Sequence, residues 1–106
     1  MAATRLTVNV DGAMEKATGV RVEACSAFYD PEDNEVRVFA ELAAEGQTPV
    51  DQFRGFHAAL YDEEGTLLGT DADSWVEFGL RRTVQLNFYD VCGRPARVKV
   101  FPTASP

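Results

Sequence analysis

Glu35-Val36-Arg37-Val38-Phe39-Ala40-Glu41-Leu42-Ala43-Ala44 decides the fold class. Its apolar residues Val36, Val38, Ala40, Leu42 and Ala44 fall on every second position, the period of a strand with one face buried. Similar alternation occurs at Val20, Val22, Ala24, Ser26 and Phe28, at Phe56, Ala58 and Leu60, at Val84, Leu86 and Phe88, and at Val98 and Val100. Turn-forming clusters separate these runs: Asp11-Gly12, Asp30-Pro31-Glu32-Asp33-Asn34, Glu45-Gly46-Gln47-Thr48-Pro49, Glu63-Glu64-Gly65 and Cys92-Gly93-Arg94-Pro95. Strands are expected at 4–10, 18–29, 35–44, 53–62, 66–71, 75–78, 82–90 and 96–102, with one helical turn near Ala13–Ala17. Seven or eight short strands at this spacing predict an all-β fold, an antiparallel sandwich in preference to a small closed barrel, which would need longer strands and a bulkier interior pattern.

With 106 residues, 45% of them hydrophobic and 25% charged, residues 1–106 are read as a single β-sandwich domain with a frayed tail at 103–106. A chain this long buries about 65% of its unfolded surface, enough to fold without a metal or disulfide staple. The net charge of −7 argues against nucleic acid as a partner, because phosphate binding needs cationic surface. The charge is uneven: residues 1–77 hold 16 acidic and 5 basic groups, and residues 78–106 hold 1 acidic and 5 basic. The basic cluster Arg81, Arg82, Arg94, Arg97 and Lys99 reads as a strand pair that compensates acidic neighbours. Met1–Val10 alternates instead of forming the apolar run of a signal peptide, and no segment approaches a membrane span, so the expectation is a cytoplasmic chain with no membrane partner. Cys25 and Cys92 match neither zinc nor Cys-x-x-Cys spacing and are expected to be free thiols in a reducing compartment. No cofactor is implied.

The run Phe56-His57-Ala58-Ala59-Leu60-Tyr61-Asp62-Glu63-Glu64-Gly65-Thr66-Leu67-Leu68-Gly69-Thr70 resembles the signature of the FxLYD family, small immunoglobulin-like β-sandwich domains. In that family a strand ends in Leu-Tyr-Asp, turns through an acidic residue and a Gly, and returns as a strand ending in Gly-Thr. The resemblance extends more loosely from about Glu35 to Phe101 and departs at Phe78-Gly79-Leu80, where the family's Pro is missing. It implies an immunoglobulin-like sandwich and says little of function. Family members are often exported or membrane-tethered, which this amino terminus does not support. An antibody-type domain is disfavoured, since the position about a dozen residues after Cys25 is Phe39, and Trp75 comes too late.

If each strand crosses the sandwich once, the turns at 30–35, 62–65 and 79–82 share one end. The segments 11–18, 45–52, 72–74 and 91–95 then share the other. The first end would gather Asp30, Glu32, Asp33, Glu35, Asp62, Glu63 and Glu64, with Arg81 and Arg82 beside them. Asp30, Glu32, Asp62 and Glu64 are therefore the candidate calcium ligands. The EF-hand reading of Asp30-x-Glu32-x-Asn34 fails, because Glu35 stands where that loop needs Gly. Solvated turn carboxylates balanced by the arginines are the simpler reading.

The inventory for catalysis is poor. His57 is the only histidine, and it would need Cys25 or Cys92 within hydrogen-bond reach to form a nucleophile pair. Asp62 and Glu64 would need a sugar cleft to act as a glycosidase pair. There is no phosphate loop, nucleophile elbow or zinc-protease motif. If Phe56, Ala58 and Leu60 face the core, then His57, Ala59 and Tyr61 face outward. Phe39 and Phe101 are outward by the same count. Phe39, His57, Tyr61 and Phe101 are thus the candidate partner-binding residues, forming a partly apolar face for another protein or a second copy. The expected function is a non-catalytic interaction domain. A calcium-dependent binding module and a small hydrolase are the alternatives.

Overall fold

A computed structural model describes residues 3–105 and turns the alternating runs into strands. These are Thr4–Arg5 (β1), Thr7–Val10 (β2), Val20–Asp30 (β3), Glu35–Ala44 (β4), Arg54–Asp62 (β5), Leu67–Trp75 (β6), Arg81–Phe88 (β7) and Pro95–Thr103 (β8). One four-stranded sheet has the order β1-β3-β4-β7 and the other β2-β8-β5-β6. The apolar alternates of both sheets meet in one core. Phe56, Val36, Val98 and Val100 are fully excluded from solvent there, and Phe78 closes the end between the sheets. Burying each such side chain contributes about 1.5–3 kcal/mol.

The expected strand 4–10 is two strands. At Leu6 the chain changes sheets: its N–H donates to Ala27 C=O at 2.8 Å and its side chain enters the core. β1 pairs antiparallel with β3, and β2 then runs parallel to β8, so the second sheet is mixed and not wholly antiparallel. The helical turn becomes Gly12–Thr18 (α1). Asp11 caps it by accepting from the N–H groups of Ala13 and Met14, and Gly19 ends it at φ 69°, a left-handed conformation that favours glycine. Thr18 Oγ1 donates back to Met14 C=O at 2.7 Å, and its own C=O accepts from Arg54 Nε at 2.8 Å. The helix is thereby tied to the start of β5.

The expected strands 66–71 and 75–78, with a turn at 72–74, are corrected to one strand. Asp71-Ala72-Asp73-Ser74 has turn composition, yet Asp71 lies opposite Ala58 and Asp73 opposite Phe56 in a ladder with β5 that keeps its register from Arg54 to Leu60. Acidic residues are tolerated because β6 is an edge strand. Losing one turn reverses every later crossing. The 79–82 segment therefore lies with 45–52 at one end, joined by the Val50–Gly79 bridge. The 91–95 segment lies with the 30–35 turn at the other, where Val91 N–H donates to Asn34 C=O. Thr103, expected in the frayed tail, belongs to β8, opposite Gly55; Ala104 and Ser105 follow the strand, and Pro106 lies outside the described residues.

Candidate functional site

Strand register assigns each side chain to a face, because residues opposite one another in a ladder project to the same side. On the second sheet the core side takes Phe56, Ala58 and Leu60 of β5 with Val98 and Val100 of β8. The outer side takes His57, Ala59 and Tyr61 from β5, and Arg97, Lys99 and Phe101 from β8. Thr7 and Asn9 of β2 and Thr70, Ala72 and Ser74 of β6 complete it. Three of the candidate partner-binding residues thus share one surface.

The His57 and Phe101 rings stack, with centroids 5.4 Å apart and planes 9° from parallel. Tyr61 lies four residues from His57, about 13 Å along the strand. It lines a shallow depression of about 260 Å³ with Asn9, Gly65, Arg97 and Lys99. Arg97 and Lys99 are exposed, and among the described residues neither has an ion-pair partner. In a chain with 17 carboxylates, these strand positions carry two cations and a histidine and no acid.

Phe39 is elsewhere. β4 lies in the first sheet, whose outward direction is opposite, so Phe39 projects from the far side of the domain. It is 40% exposed and meets Phe28 edge to face at 6.3 Å. The Arg5 guanidinium lies 5.4 Å from the centre of the Phe28 ring and donates to Ser26 Oγ. Three other arginines of this face have carboxylate partners. Arg37 pairs with Glu35 at 3.1 Å, and Arg21 and Arg81 both pair with Glu23. Glu23 is the extra residue of a bulge between Val22 and Ala24, and hydrogen bonds first from Arg21 and then from Arg81 hold its carboxyl below the usual value. The expectation of a single aromatic face is therefore corrected to two opposed faces of different electrostatic character. Alternation gives inside and outside, but only sheet membership gives the direction of outside.

The acidic end contains the 30–35 and 62–65 turns together, as expected, but Arg81 and Arg82 lie at the opposite end. Arg94 takes their place, in the wall of a hollow that also includes Tyr29, Pro31 and Glu63. Asp30 Oδ1 accepts from Glu32 N–H, and Asp62 Oδ1 accepts from the N–H groups of Glu64 and Thr66. These carboxylates cap their own turns. Among the described residues no group of three His, Cys, Asp or Glu side chains is placed to hold a metal ion, so Asp30, Glu32, Asp62 and Glu64 do not assemble into a ligand set.

Cys25 and Cys92 are both free. Burial pushes the Cys25 thiol up to about 11, so it is protonated at neutral pH and a poor nucleophile. It belongs to β3, in the sheet opposite His57. Cys92 is exposed in the loop before β8, beside the Asp62 end of β5. His57 is five residues from that end, about 17 Å by strand rise. The geometry joins neither thiol to the imidazole.

Sequence reasoning overlooked the contact of Gly55 with Thr103. A Cβ on Gly55 would lie 2.6 Å from Thr103 Oγ1, and that hydroxyl is a buried polar atom with no hydrogen-bond partner among the described residues. It forms the floor beside His57 Nε2, 3.6 Å from the same point. A glycine at the start of β5 was the only signal in the sequence. No known family, curated protein or solved structure matches the chain.

Proposed function

We propose that this chain is a non-catalytic, immunoglobulin-like interaction domain whose working surface is the outer face of β5 and β8, and whose partner is an acidic segment of another protein. The single observation that carries the reading is the uncompensated pair Arg97 and Lys99 beside Tyr61 and the His57–Phe101 stack, on a domain of net charge −7. Aromatic side chains and arginine are the residue types that protein interfaces concentrate. Exposed cations add steering, since an acidic partner is attracted to this face and repelled by most of the remaining surface.

The immunoglobulin-like assignment concerns layers, not strand order. In antibody-type domains the second and third strands lie in different sheets, whereas β3 and β4 are a hairpin within one. The FxLYD-like run forms the hairpin of β5 and β6, where Tyr61 pairs with Leu67 and the Asp62 carboxylate caps the intervening turn, while β6 continues past Gly69-Thr70 to Trp75.

The test places a photocrosslinking residue at Tyr61 or, in a second protein, at Phe39, and exposes each to cell extract. The reading expects a protein adduct from position 61. Arg97→Glu with Lys99→Glu should weaken capture about tenfold, and added salt should do the same. Equal labelling at both positions, or labelling insensitive to charge reversal, would overturn it.

A further inference from the structure

The two sheets have four edges, and three are protected. β1 and β2 are two and four residues long. β6 carries Asp71 and Asp73 on its core-facing side at the open margin, and its ladder with β5 is irregular near Tyr61. Short strands, inward charges and bulges are ways in which proteins prevent edge pairing. β7 is neither short nor bulged, and its one inward charge is Arg82, which donates to the Phe78 and Glu77 carbonyls of its own chain. It runs eight residues, Arg81–Phe88, in uninterrupted register with β4, and it contains neither proline nor lysine.

The direction of its backbone groups follows from one contact. Asn87 N–H donates to Asp71 Oδ2 at 3.2 Å, away from β4, while Leu80 C=O faces β4 and accepts from Ala44 N–H. Amides alternate along a strand, so Arg81, Thr83 and Gln85 present their N–H and C=O groups to the open edge. All three residues are exposed. Asp71 ends the open stretch at Asn87.

We propose that β7 pairs antiparallel with β7 of a second copy across a twofold axis at Thr83, joining two four-stranded sheets into one of eight strands. The register is self-complementary. Thr83 lies opposite Thr83, Arg81 opposite Gln85, and Arg82 opposite Val84, with no like charges facing. Charge also selects the occupant. Arg82 and Asp73 both project to the core-facing side, being paired with Leu42 and Phe56. Because Asp71 is level with Asn87 and the two strands run in opposite directions, Asp73 is about level with Gln85. Within its own chain the Arg82 guanidinium donates to the Phe78 and Glu77 carbonyls and lies over the Trp75 ring. These neutral partners leave its charge uncompensated. The pairing brings the second copy's Arg82, beside Val84, to the side that carries Asp73, twice across the twofold. It also brings the exposed Leu80 of one copy and Tyr89 of the other to the same end of the paired ribbon.

This surface is separate from the β5–β8 face, and its test distinguishes them. Mass is measured by light scattering on the reduced protein at up to about 1 mM chain, where even a Kd of about 1 mM is detectable. The wild type should be a dimer that salt weakens. Thr83→Pro removes an edge-facing N–H without touching the β4 ladder, a position where edge strands accept proline. It should be monomeric with an unchanged circular dichroism spectrum. Asp73→Lys, at an exposed side chain whose hydrogen bond is to its neighbour Ser74, should weaken the dimer at least tenfold. Tyr61→Asp should leave it intact. A monomeric wild type, a dimer that survives Thr83→Pro, or one lost only in Tyr61→Asp would overturn the proposal.

Discussion

The outer faces of the two sheets are built from the same alternating strands and differ in how their charge is satisfied. On the first sheet each of three arginines has a carboxylate partner within the same face, Arg37 with Glu35 and Arg21 and Arg81 with Glu23. On the second, Arg97 and Lys99 stand among Thr, Asn, Ala and aromatic side chains with no acid between them. Both faces expose aromatic surface. What distinguishes them is that the first pairs most of its cations with its own carboxylates, while the second would gain most from an external anion. A strongly acidic total charge conceals this, because the sum over 106 residues says nothing of where neutralisation is local.

The largest expected contrast lies in the layer beneath each face. Phe56→Ala, under the second face, should cost about 3–5 kcal/mol by urea denaturation, because it empties a fully buried site. Phe39→Ala, on the first face, should cost less than about 1 kcal/mol, since its ring is already part-hydrated and its main contact is Phe28. Equal losses would mean that Phe39 is core and the two faces are misassigned.

A second contrast uses the tight floor of the β5–β8 face. Gly55→Ala should cost about 1–3 kcal/mol, because the new methyl meets Thr103 Oγ1. Thr103→Val keeps the shape and removes the unpaired buried hydroxyl, so it should raise stability by about 1 kcal/mol. A destabilised Thr103→Val protein would show that the hydroxyl has a partner in solution.

Titration sharpens the first face. The Cys25 thiol is raised in the folded state by desolvation, so its contribution is fully present below the unfolded thiol value of about 8.5. It is lost as pH rises to about 11. Wild-type Tm should therefore fall more steeply than that of Cys25→Ala over this interval, and Cys92 should react with an alkylating reagent well before Cys25. Parallel Tm curves would remove burial as the cause. The smallest effect is at Glu23, whose carboxyl is lowered by Arg21 and Arg81. Its stabilisation is present above the ordinary carboxylate value and lost as pH falls below it. Glu23→Gln should accordingly change Tm by no more than a degree or two at low salt and not at all in 1 M salt, because the group is exposed. A persistent change at 1 M would assign Glu23 a structural role in the β3 bulge.

Much of the architecture was legible in local pattern. The alternation at Val36–Ala44 and Phe56–Leu60 identified the buried side of β4 and β5, and Asp11 and Gly19 bracket the helix with ordinary capping chemistry. Two misreadings had one kind of cause. Leu6 looks like any inward residue of a strand, yet it is where the chain leaves one sheet for the other. Asp71-Ala72-Asp73-Ser74 looks like a turn, yet pairing with β5 holds it extended. Both are decided by partners distant in sequence, and the second displaced Arg81, Arg82 and the 91–95 loop to the wrong ends of the domain.

By itself the sequence determined that the chain forms short alternating strands with one apolar side each, because a period of two is a local property that burial alone rewards. It also determined that His57 and Tyr61 project together, since they lie on one strand at even spacing. Tertiary structure alone decided that Phe39 faces away from them, that Arg97 and Lys99 stand beside Tyr61 with no ion-pair partner among the described residues, and that β7 is an edge strand. The reason is that a strand's periodicity records which side meets the core, while the sheet it joins, the neighbour it lacks and the charges brought near it are set by long-range pairing.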